Sequence, residues 1–378
     1  MNLAQKRWTL ACGTGLVTAA AVALIWWALS PGPEGRAPGF APAARLGFLL
    51  EPSTSWRHTA SGFDVQVDTN ALGLRGPEVA VPPETDRYRI LVLGDSFAFG
   101  WGVELEQAWH LRMARALAAR DGRTVEVVTA GVPGWGPLQQ FVFLEQSGLD
   151  LAPDLVLWQL CTNDLLDMER LEVELDARRL PVAVRAEPPL SAAPPADWVA
   201  RLEQLPEADR QRVLDEYRAG RIDPILREIV RASDADRRAA AGAGPDGPVR
   251  DLSPEAVMTG LRSGPAFGIA YLDHLVTEAR DLCEARGVGL RLLLARARPP
   301  DGRGDASQDG AELLVAWAAR QGPMLLDTGA ALPPGEHDWL YLADDPHWAP
   351  AAHPLVAAAV AAWLASDPQL GLVTAAGR

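Results

Sequence analysis

Four short segments of the sequence are polar or rich in glycine, and three of them directly follow an apolar run. They are Gly94-Asp95-Ser96-Phe97, Gly131 to Gly136, Thr162-Asn163-Asp164 and Asp344-Asp345-Pro346-His347-Trp348. Together they contain a serine, a histidine, carboxylates, an asparagine and glycine amides. Such a set is sufficient for acyl transfer, because a serine hydroxyl is a poor nucleophile until an imidazole takes its proton and an acid fixes the tautomer of that imidazole.

The same segments hold donors for the negative oxygen that develops during acyl transfer. That oxygen needs two or three N–H groups already in place, each of which typically lowers the barrier by about 3–4 kcal/mol. We predict that the backbone amides of Ser96 and Gly134 and the side-chain amide of Asn163 supply them. Glycine suits the second of these positions, because a backbone without a side chain can approach a substrate closely.

The elements that must position these segments are short apolar runs that alternate with amphipathic stretches. Buried strands are predicted at 90–93, 125–128, 155–158, 290–294 and 324–326, and helices at 107–120, 137–146, 271–285, 311–320 and 351–364. This alternation indicates an α/β fold, in which a parallel sheet has helices on both faces. Ligands bind beyond the carboxyl ends of such strands, so the segments are expected to meet at one edge of the sheet.

The strand–helix region is preceded and interrupted by segments of different composition. Residues 31–84 are expected to form a linker and a small β-containing part, here called the lead segment, in which 63–68 alternates like a half-buried strand. The α/β domain is expected to span 85–366, followed by a C-terminal tail at 367–378. The stretch 168–265 is too long for a turn. We interpret it as a helical cap beside the site, with a helix at 198–229, or alternatively as a partly disordered insertion.

Composition and charge limit the partners that the chain is expected to have. The chain has 378 residues, of which 48% are hydrophobic, which is enough for a sizeable core. Its formal net charge of −14 repels phosphate backbones, so we expect no nucleic-acid partner. The cysteines Cys12, Cys161 and Cys283 show no zinc-binding spacing, and we expect the last two to pack in the core as free thiols.

Residues 1–30 are expected to form a cytoplasmic tip and a transmembrane anchor. Lys6 and Arg7 precede an uncharged run at 8–29, which is about the length that crosses a bilayer. Cationic residues before the run favour a cytoplasmic N-terminus and an extracytoplasmic domain, either periplasmic or at the cell surface. A cleaved signal peptide is the alternative, but the length of the run and Pro31, just after the candidate cleavage site, disfavour it.

Taken in order, the four segments resemble the four signature blocks of the SGNH (GDSL-like) hydrolase family, over about residues 60–365 apart from the insertion. The blocks appear as Leu93-Gly94-Asp95-Ser96-Phe97, Ala130-Gly131-Val132-Pro133-Gly134, Cys161-Thr162-Asn163-Asp164 and Asp345-Pro346-His347-Trp348 with His353. The resemblance implies a flavodoxin-like three-layer α/β/α sandwich with a parallel sheet. It also implies Ser96 as nucleophile, His347 as base, and Gly134 and Asn163 in the oxyanion hole. Neither a metal nor an organic cofactor is implied.

The sequence departs from the family pattern in three places. Cys161 stands where the third block often has glycine, and Ala352 replaces the glycine often found before the final histidine. The acid occurs twice: a three-residue spacing to the histidine selects Asp344, whereas the tighter form followed by tryptophan selects Asp345. We favour Asp345 as the catalytic acid, because Pro346 would fix the short turn.

Tryptophan is frequent in and near these segments, at Trp101, Trp135, Trp339 and Trp348. Flat aromatic faces at the mouth of a site can stack on the rings of a glycan, so Trp101, Trp135 and Trp348 are candidate substrate contacts. The alternative is that these side chains pack beneath the loops.

We therefore expect a serine ester hydrolase that removes a short acyl group from an extracytoplasmic carbohydrate or a related ester. If a sugar hydroxyl replaced water in the second step, the same residues would make the chain an O-acyltransferase, and the motifs do not choose between the two. A third alternative is a catalytically silent binding or scaffolding domain of an envelope complex. Loss of a reacting residue would indicate it, and none is lost here.

Overall fold

The computed structural model describes residues 39–60, 62–186, 242, 244–298, 306–333, 338–343 and 345–375. The predicted membrane anchor, the helix predicted at 198–229 and Asp344 lie outside these ranges. None of the helices within them is both long enough and apolar enough to span a lipid bilayer.

In the described ranges the strands form one central sheet and several small antiparallel pairs. The strands are β1 (Phe40–Ala43), β2 (Gly47–Leu50), β3 (Ser55–Ala60), β4 (Phe63–Asp68), β5 (Arg87–Gly94), β6 (Leu117–Ala119), β7 (Thr124–Gly131), β8 (Leu155–Cys161), β9 (Glu172–Leu175), β10 (Pro181–Arg185), β11 (Gly289–Ala295), β12 (Leu325–Asp327) and β13 (Leu372–Thr374). The strands predicted from the apolar runs correspond to β5, β7, β8, β11 and β12.

The helices lie between these strands in the alternation that the sequence predicts. They are α1 (Ser96–Phe99), α2 (Trp109–Ala116), α3 (Pro137–Phe143), α4 (Asp164–Arg170), α5 (Pro254–Ser263), α6 (Pro265–Ala285), α7 (Ala306–Arg320) and α8 (Ala352–Ser366). Single 3-10 turns occur at Leu105–Gln107, Leu149–Leu151, Val249–Asp251, Gly322–Met324, Thr328–Ala330, Asp338–Leu340 and Pro368–Leu370, and α3 continues into a π-helical turn at Leu144–Gly148.

The central sheet holds five parallel strands in the order β12-β11-β8-β5-β7. Numbered by their sequence within the sheet and read from β7, the strands have the order 2-1-3-4-5 of flavodoxin-like folds. The strand order reverses between β5 and β8, so a crevice opens there at the carboxyl ends. The predicted flavodoxin-like three-layer architecture is therefore confirmed.

The central strands are buried on both faces of the sheet, which explains their near-continuous apolar sequences. In β5, Ile90 packs into a core that includes residues of α2 and α8, whereas Leu91 packs into a core that includes residues of α3, α6 and α7. Cys161 and Cys283 lie in these cores as free thiols, which confirms that prediction. Two packed layers thus hold the strand ends in fixed relative positions.

The lead segment contains two hairpins, β1–β2 and β3–β4, that pack against the α/β domain. The strand predicted at 63–68 is β4, which pairs antiparallel with β3. Trp135 donates its indole N–H to the Phe48 carbonyl oxygen at 3.0 Å, and Gln139 donates its side-chain amide to the Leu46 carbonyl oxygen at 3.1 Å. These bonds join the lead segment to α3 and to the turn before it.

The described start of the 168–265 insertion contains a β-hairpin, an element that the expectation of a helical cap did not include. Strands β9 and β10 pair antiparallel. Val184 donates its backbone N–H to the Arg45 carbonyl oxygen of the lead segment at 2.8 Å. The Tyr271 hydroxyl of α6 donates to the Arg179 carbonyl oxygen at 2.7 Å. The local sequence did not predict this hairpin, because the lead segment and α6, which bind it, lie far from it in the sequence.

The helix predicted at 107–120 ends at Ala116, and the predicted C-terminal tail contains a strand. Residues Leu117–Ala119 leave the helix to form β6, which pairs antiparallel with β13 at Leu372–Thr374. The partner strand lies at the far end of the sequence. Helical periodicity around residue 117 therefore gave no indication of the pairing.

Gly131, the last residue of β7, is expected to tolerate no side chain. A Cβ atom there would lie 2.3 Å from the Phe99 backbone nitrogen and 2.6 Å from the Ala98 carbonyl carbon, so α1 and the sheet would have to separate. We expect Gly131→Ala to lower the free energy of unfolding in urea by about 1–3 kcal/mol, the usual cost of overpacking. Gly310→Ala in α7 is the control, since its Cβ would meet nothing closer than 3.7 Å, and should be neutral or stabilising. Equal effects of the two variants would contradict this interpretation.

Candidate active site

Ser96 is the first residue of α1 and comes directly after the turn at the carboxyl end of β5. Asp95 caps this helix by accepting the Phe97 N–H at 2.8 Å, and Gly100 ends it one turn later with a left-handed φ of 79°. A single tight turn thus fixes the direction of the half-buried Ser96 side chain. The Ser96 N–H lies in the first helical turn, where amides have no intrahelical acceptor.

His347 lies beside Ser96 although 251 residues separate them in the sequence. Its Nε2 is 2.6 Å from Ser96 Oγ, and its Nδ1 is 2.5 Å from Oδ1 of Asp345. The same carboxylate oxygen accepts the backbone N–H of His347 at 2.8 Å, so the short turn through Pro346 holds the acid against the ring. Ser96, His347 and Asp345 therefore form one continuous hydrogen-bonded chain, in the order that acyl transfer by serine requires.

Trp101 holds the second oxygen of the acid, a role that its sequence position did not indicate. Its indole N–H donates to Oδ2 of Asp345 at 3.1 Å. The indole also stacks on the His347 ring, with centroids 5.2 Å apart and planes at 28°. The face that covers His347 is not open to a sugar ring, so Trp101 holds Asp345 and His347 rather than presenting that face to a substrate.

The environment of Asp345 keeps its carboxyl ionised although the side chain is only 19% exposed. Burial alone would raise the pKa of Asp345. The hydrogen bonds and charge of His347, together with the Trp101 N–H, outweigh burial and hold that pKa below its ordinary value of 3.8. An ionised Asp345 can stabilise the positive charge that His347 acquires when it takes a proton.

Gly134 lies in a tight turn at the carboxyl end of β7. The Trp135 N–H donates to the Val132 carbonyl oxygen at 3.0 Å. Pro133 takes the second position and Gly134 the third, with a φ of 84°, as in a type II turn. The Val132 N–H donates to the Gly94 carbonyl oxygen at 3.2 Å, so the turn is tied to the end of β5. Gly134 itself is exposed.

Asn163 follows β8, the strand next to β5, and is exposed at the same edge of the sheet. Its carboxamide donates one hydrogen to Oδ2 of Asp167, one turn further along α4, at 2.6 Å. Because the amide group has two hydrogens, this contact orients the group and leaves a second donor. Asp167 was not among the predicted site residues.

Gln159, a buried residue of β8, binds the nucleophile turn and was also not predicted. Its Oε1 accepts the backbone N–H groups of Asp95 at 3.2 Å and of Ala98 at 3.0 Å. Gly94 must be a glycine here, because a Cβ atom would lie 2.2 Å from the same oxygen. The signal available in the sequence was a polar residue inside an otherwise apolar strand.

Asp95 and Asp164 are carboxyls buried beneath the site, 3% and 0% exposed. Asp164 accepts the Cys161 N–H at 2.7 Å. Burial raises the pKa of both carboxyls, and the nearby Asp95 raises the pKa of Asp164 further. At Asp95 the Phe97 N–H and His347 partly offset burial. Burial beside a second carboxyl therefore favours the neutral form of Asp164.

Trp135 and Trp348 are buried, which corrects the prediction that they contact substrate. Their side chains are 0% and 1% exposed. Trp135 donates its indole N–H to the lead segment, as described above, and Trp348 donates to the Arg296 carbonyl oxygen at 3.0 Å. Both pack beneath loops. Trp339, on the turn Asp338–Leu340, is instead 55% exposed.

His353, the second histidine of the last block, stands outside the hydrogen-bonded chain and supports α2. Its Nδ1 accepts the Trp109 N–H at 3.1 Å, and burial lowers the pKa of His353 to about 3. In the part of the chain that the structure describes, no cluster of three or more His, Cys, Asp or Glu side chains is arranged to hold a metal ion.

Comparison with known families identifies the class of enzyme. The model of the GDSL-like lipase/acylhydrolase family matches residues 92–358, which is more than half of the chain and includes all four motif segments. The chain therefore belongs to the GDSL-like lipase/acylhydrolase family. It is an ester hydrolase.

Several solved structures resemble the chain at low sequence identity. A putative lipolytic protein of the G-D-S-L family from Desulfitobacterium hafniense is 10% identical with a TM-score of 0.39, over 73% of this chain and 99% of that one. TesA is 17% identical with a TM-score of 0.38, over 74% and 99% of the two chains. A putative acylhydrolase from Bacteroides fragilis is 12% identical with a TM-score of 0.38, over 75% and 88%. No curated protein matches the chain.

Asp164→Asn is expected to change how stability depends on pH. Folding raises the pKa of Asp164 above its ordinary value of 3.8, so its contribution to stability is complete below that value and is lost as the pH rises towards the raised pKa. Asparagine cannot ionise. The difference in the free energy of unfolding, variant minus wild type, should therefore increase with pH by up to about 1.4 kcal/mol per unit. Urea unfolding at several pH values between about 4.5 and about 7.5 measures this difference, and parallel curves would contradict a raised pKa of Asp164.

Proposed function

We propose that Ser96, His347 and Asp345 are the catalytic triad of this ester hydrolase. The observation that carries the proposal is the continuous chain of hydrogen bonds, 2.6 Å from Ser96 Oγ to His347 Nε2 and 2.5 Å from His347 Nδ1 to Asp345 Oδ1. Asp345 is preferred as the acid because it bonds the ring nitrogen that faces away from Ser96.

In the first half of the reaction, Ser96 Oγ attacks the ester carbonyl carbon and its proton passes to His347 Nε2. Asp345 stabilises the imidazolium that results. The tetrahedral intermediate collapses as the C–O bond to the alcohol breaks, and His347 returns the proton to the departing alcohol oxygen. An acyl group is then bound to Ser96.

In the second half, water takes the place of the alcohol. His347 accepts a proton from the water as its oxygen attacks the acyl carbon, and a second tetrahedral intermediate forms. This intermediate breaks the bond to Ser96 Oγ, which recovers the proton from His347. The products are a carboxylic acid and the free enzyme.

We assign the oxyanion hole to the backbone N–H groups of Ser96 and Gly134 and the side chain of Asn163. The assignment is supported by the position of each residue after a neighbouring strand end, by the exposure of Gly134, and by the second carboxamide hydrogen of Asn163 that Asp167 does not use. Preplaced donors of this kind are commonly the largest single contribution to acyl transfer.

The proposed substrate is a short-chain ester of a carbohydrate or related alcohol outside the cytoplasm. The uncharged run at 8–29, which predicts an anchor, supports the location. Trp339 supports a sugar, since this 55% exposed indole lies in the turn that precedes the His347 segment and has area available for stacking.

Ser96→Ala tests the assignment of the nucleophile. With p-nitrophenyl acetate, the full chain should turn over, and Ser96→Ala should lose roughly 10³-fold or more of kcat, because the remaining groups lack a nucleophile. A fluorophosphonate should label the wild type at Ser96 and leave the variant unlabelled. Ser366→Ala, which changes an exposed serine at the end of α8, is the control and should retain both properties.

An inactive wild type that a fluorophosphonate does not label would contradict the proposal, as would activity in Ser96→Ala. The same assay with added oligosaccharide acceptors separates hydrolysis from transfer. Release of free acid alone supports the hydrolase, whereas acylated sugar as the main product would establish the O-acyltransferase alternative.

A further inference from the structure

Arg75 is a buried cation of the lead segment that lies against the loop following the nucleophile helix. Its side chain is 3% exposed. Nη1 donates to the carbonyl oxygens of Phe99 at 3.0 Å and of Gly100 at 2.9 Å, and Nη2 donates to those of Val103 at 2.8 Å and of Gln66 at 3.1 Å. All four of these acceptors are backbone carbonyl oxygens, so the guanidinium serves to fix the path of the main chain.

The loop that Arg75 binds carries Trp101 between two glycines in left-handed conformation. Gly100 has a φ of 79° and Gly102 a φ of 74°. Glycine lacks the steric limits of other residues, so a loop with two of them has much conformational freedom to lose on folding. Arg75 bonds the chain on both sides of Trp101, at Phe99 and Gly100 before it and at Val103 after it.

Trp101 connects this loop to the proposed triad. Its indole N–H holds Oδ2 of Asp345 at 3.1 Å, and its ring stacks on His347. A shift of the loop would move both contacts at once. Residues of the β3–β4 hairpin also pack against the indole: the ring centroid of His58 lies 4.3 Å away and that of Phe63 lies 6.0 Å away, both edge to face.

We propose that Arg75 is a positioning residue: it fixes the loop that carries Trp101, and through Trp101 it sets the orientation of Asp345 and His347. This inference rests on the proposed function, because the side chains that Arg75 is proposed to position belong to the proposed triad. Arg75 itself lies outside the region matched by the family model. The lead segment then contributes to the geometry of the active site and is not only a linker.

The planar fork of arginine is what suits the position. Two terminal nitrogens, each with two hydrogens, reach four carbonyl oxygens. A lysine ammonium is instead a single point with three hydrogens. Burial lowers the pKa of Arg75 to about 10, so the group still carries its charge at neutral pH. Burial also lowers the pKa of His58 to about 4, so this neighbour of Trp101 is neutral there.

Arg89 provides a matched control for the general effect of losing a buried arginine. It lies at the amino end of β5, the strand that leads to Ser96, and is 0% exposed. Its guanidinium bonds Glu126 and the carbonyl oxygens of Leu151 and Ala80, far along the strand from the reacting groups. Arg75→Lys and Arg89→Lys therefore each remove the hydrogen bonds of a buried guanidinium, the first at the loop that follows the nucleophile helix and the second at the amino end of β5.

The test compares kcat and KM of the full chain for p-nitrophenyl acetate in Arg75→Lys, Arg89→Lys, Trp101→Phe and the double variant Arg75→Lys/Trp101→Phe. Activities are expressed per folded molecule, with the folded fraction taken from thermal unfolding followed by circular dichroism.

We expect Arg75→Lys and Trp101→Phe each to lose roughly 10-fold or more of kcat with KM changed less than about 2-fold, because small displacements of reacting groups lower the chemical rate. Arg89→Lys should lower the midpoint of unfolding and keep its kcat. The double variant should fall no more than about 2-fold below Trp101→Phe, because coupled residues act non-additively.

Three results would overturn the inference while leaving the proposed function intact. The first is an equal loss of kcat per folded molecule in Arg75→Lys and Arg89→Lys. The second is a double variant whose loss of kcat is the product of the two single losses. The third is an Arg75→Lys protein that does not fold. The last would mean that Arg75 holds the domain together rather than the loop. A wild type without any turnover would instead refute the proposed function, and the inference with it.

Discussion

The hydrogen bond between Asp345 and His347 is the interaction on which the arrangement of the site depends. A carboxyl that is only 19% exposed would be driven towards its neutral form by burial, and a neutral acid could not stabilise an imidazolium. Three donors oppose that tendency: the backbone and ring nitrogens of His347, and the indole of Trp101. Two of them are local to the turn through Pro346. The third comes from a loop 244 residues away, so the acid is held correctly only when the sheet, α1 and the lead segment are all in place.

The same edge of the sheet holds carboxyls whose pKa values are shifted in opposite directions. Their surroundings rather than their residue type decide the direction of each shift. Asp345 keeps its charge because donors on both oxygens outweigh burial. Asp164 is more deeply buried, accepts one backbone N–H and lies near Asp95, so its pKa is raised. The acid whose pKa is lowered thus faces the histidine, and the acid whose pKa is raised braces the turn that ends in Asn163.

The parts of the fold that follow from local sequence were predicted well. Continuous apolar runs marked β5, β7 and β8, and the pair Pro133-Gly134 is typical of the type II turn that the structure contains. Contacts between distant segments could not be predicted in this way. The bond from Gln159 to the nucleophile turn spans 64 residues, and Arg75 had no local signal at all. The prediction for Trp135 and Trp348 was wrong for a related reason, since a tryptophan beneath a loop and one at its surface have the same local sequence.

The proposed catalytic triad requires a covalent acyl intermediate on Ser96. Rapid acid quenching during turnover of p-nitrophenyl acetate, followed by mass spectrometry of peptides, measures this directly. We expect an acetyl group on the peptide that contains Ser96, present in the first turnover and absent from Ser96→Ala. Turnover with no acetylated peptide, or with the acetyl group on another residue, would contradict the assignment of Ser96, His347 and Asp345.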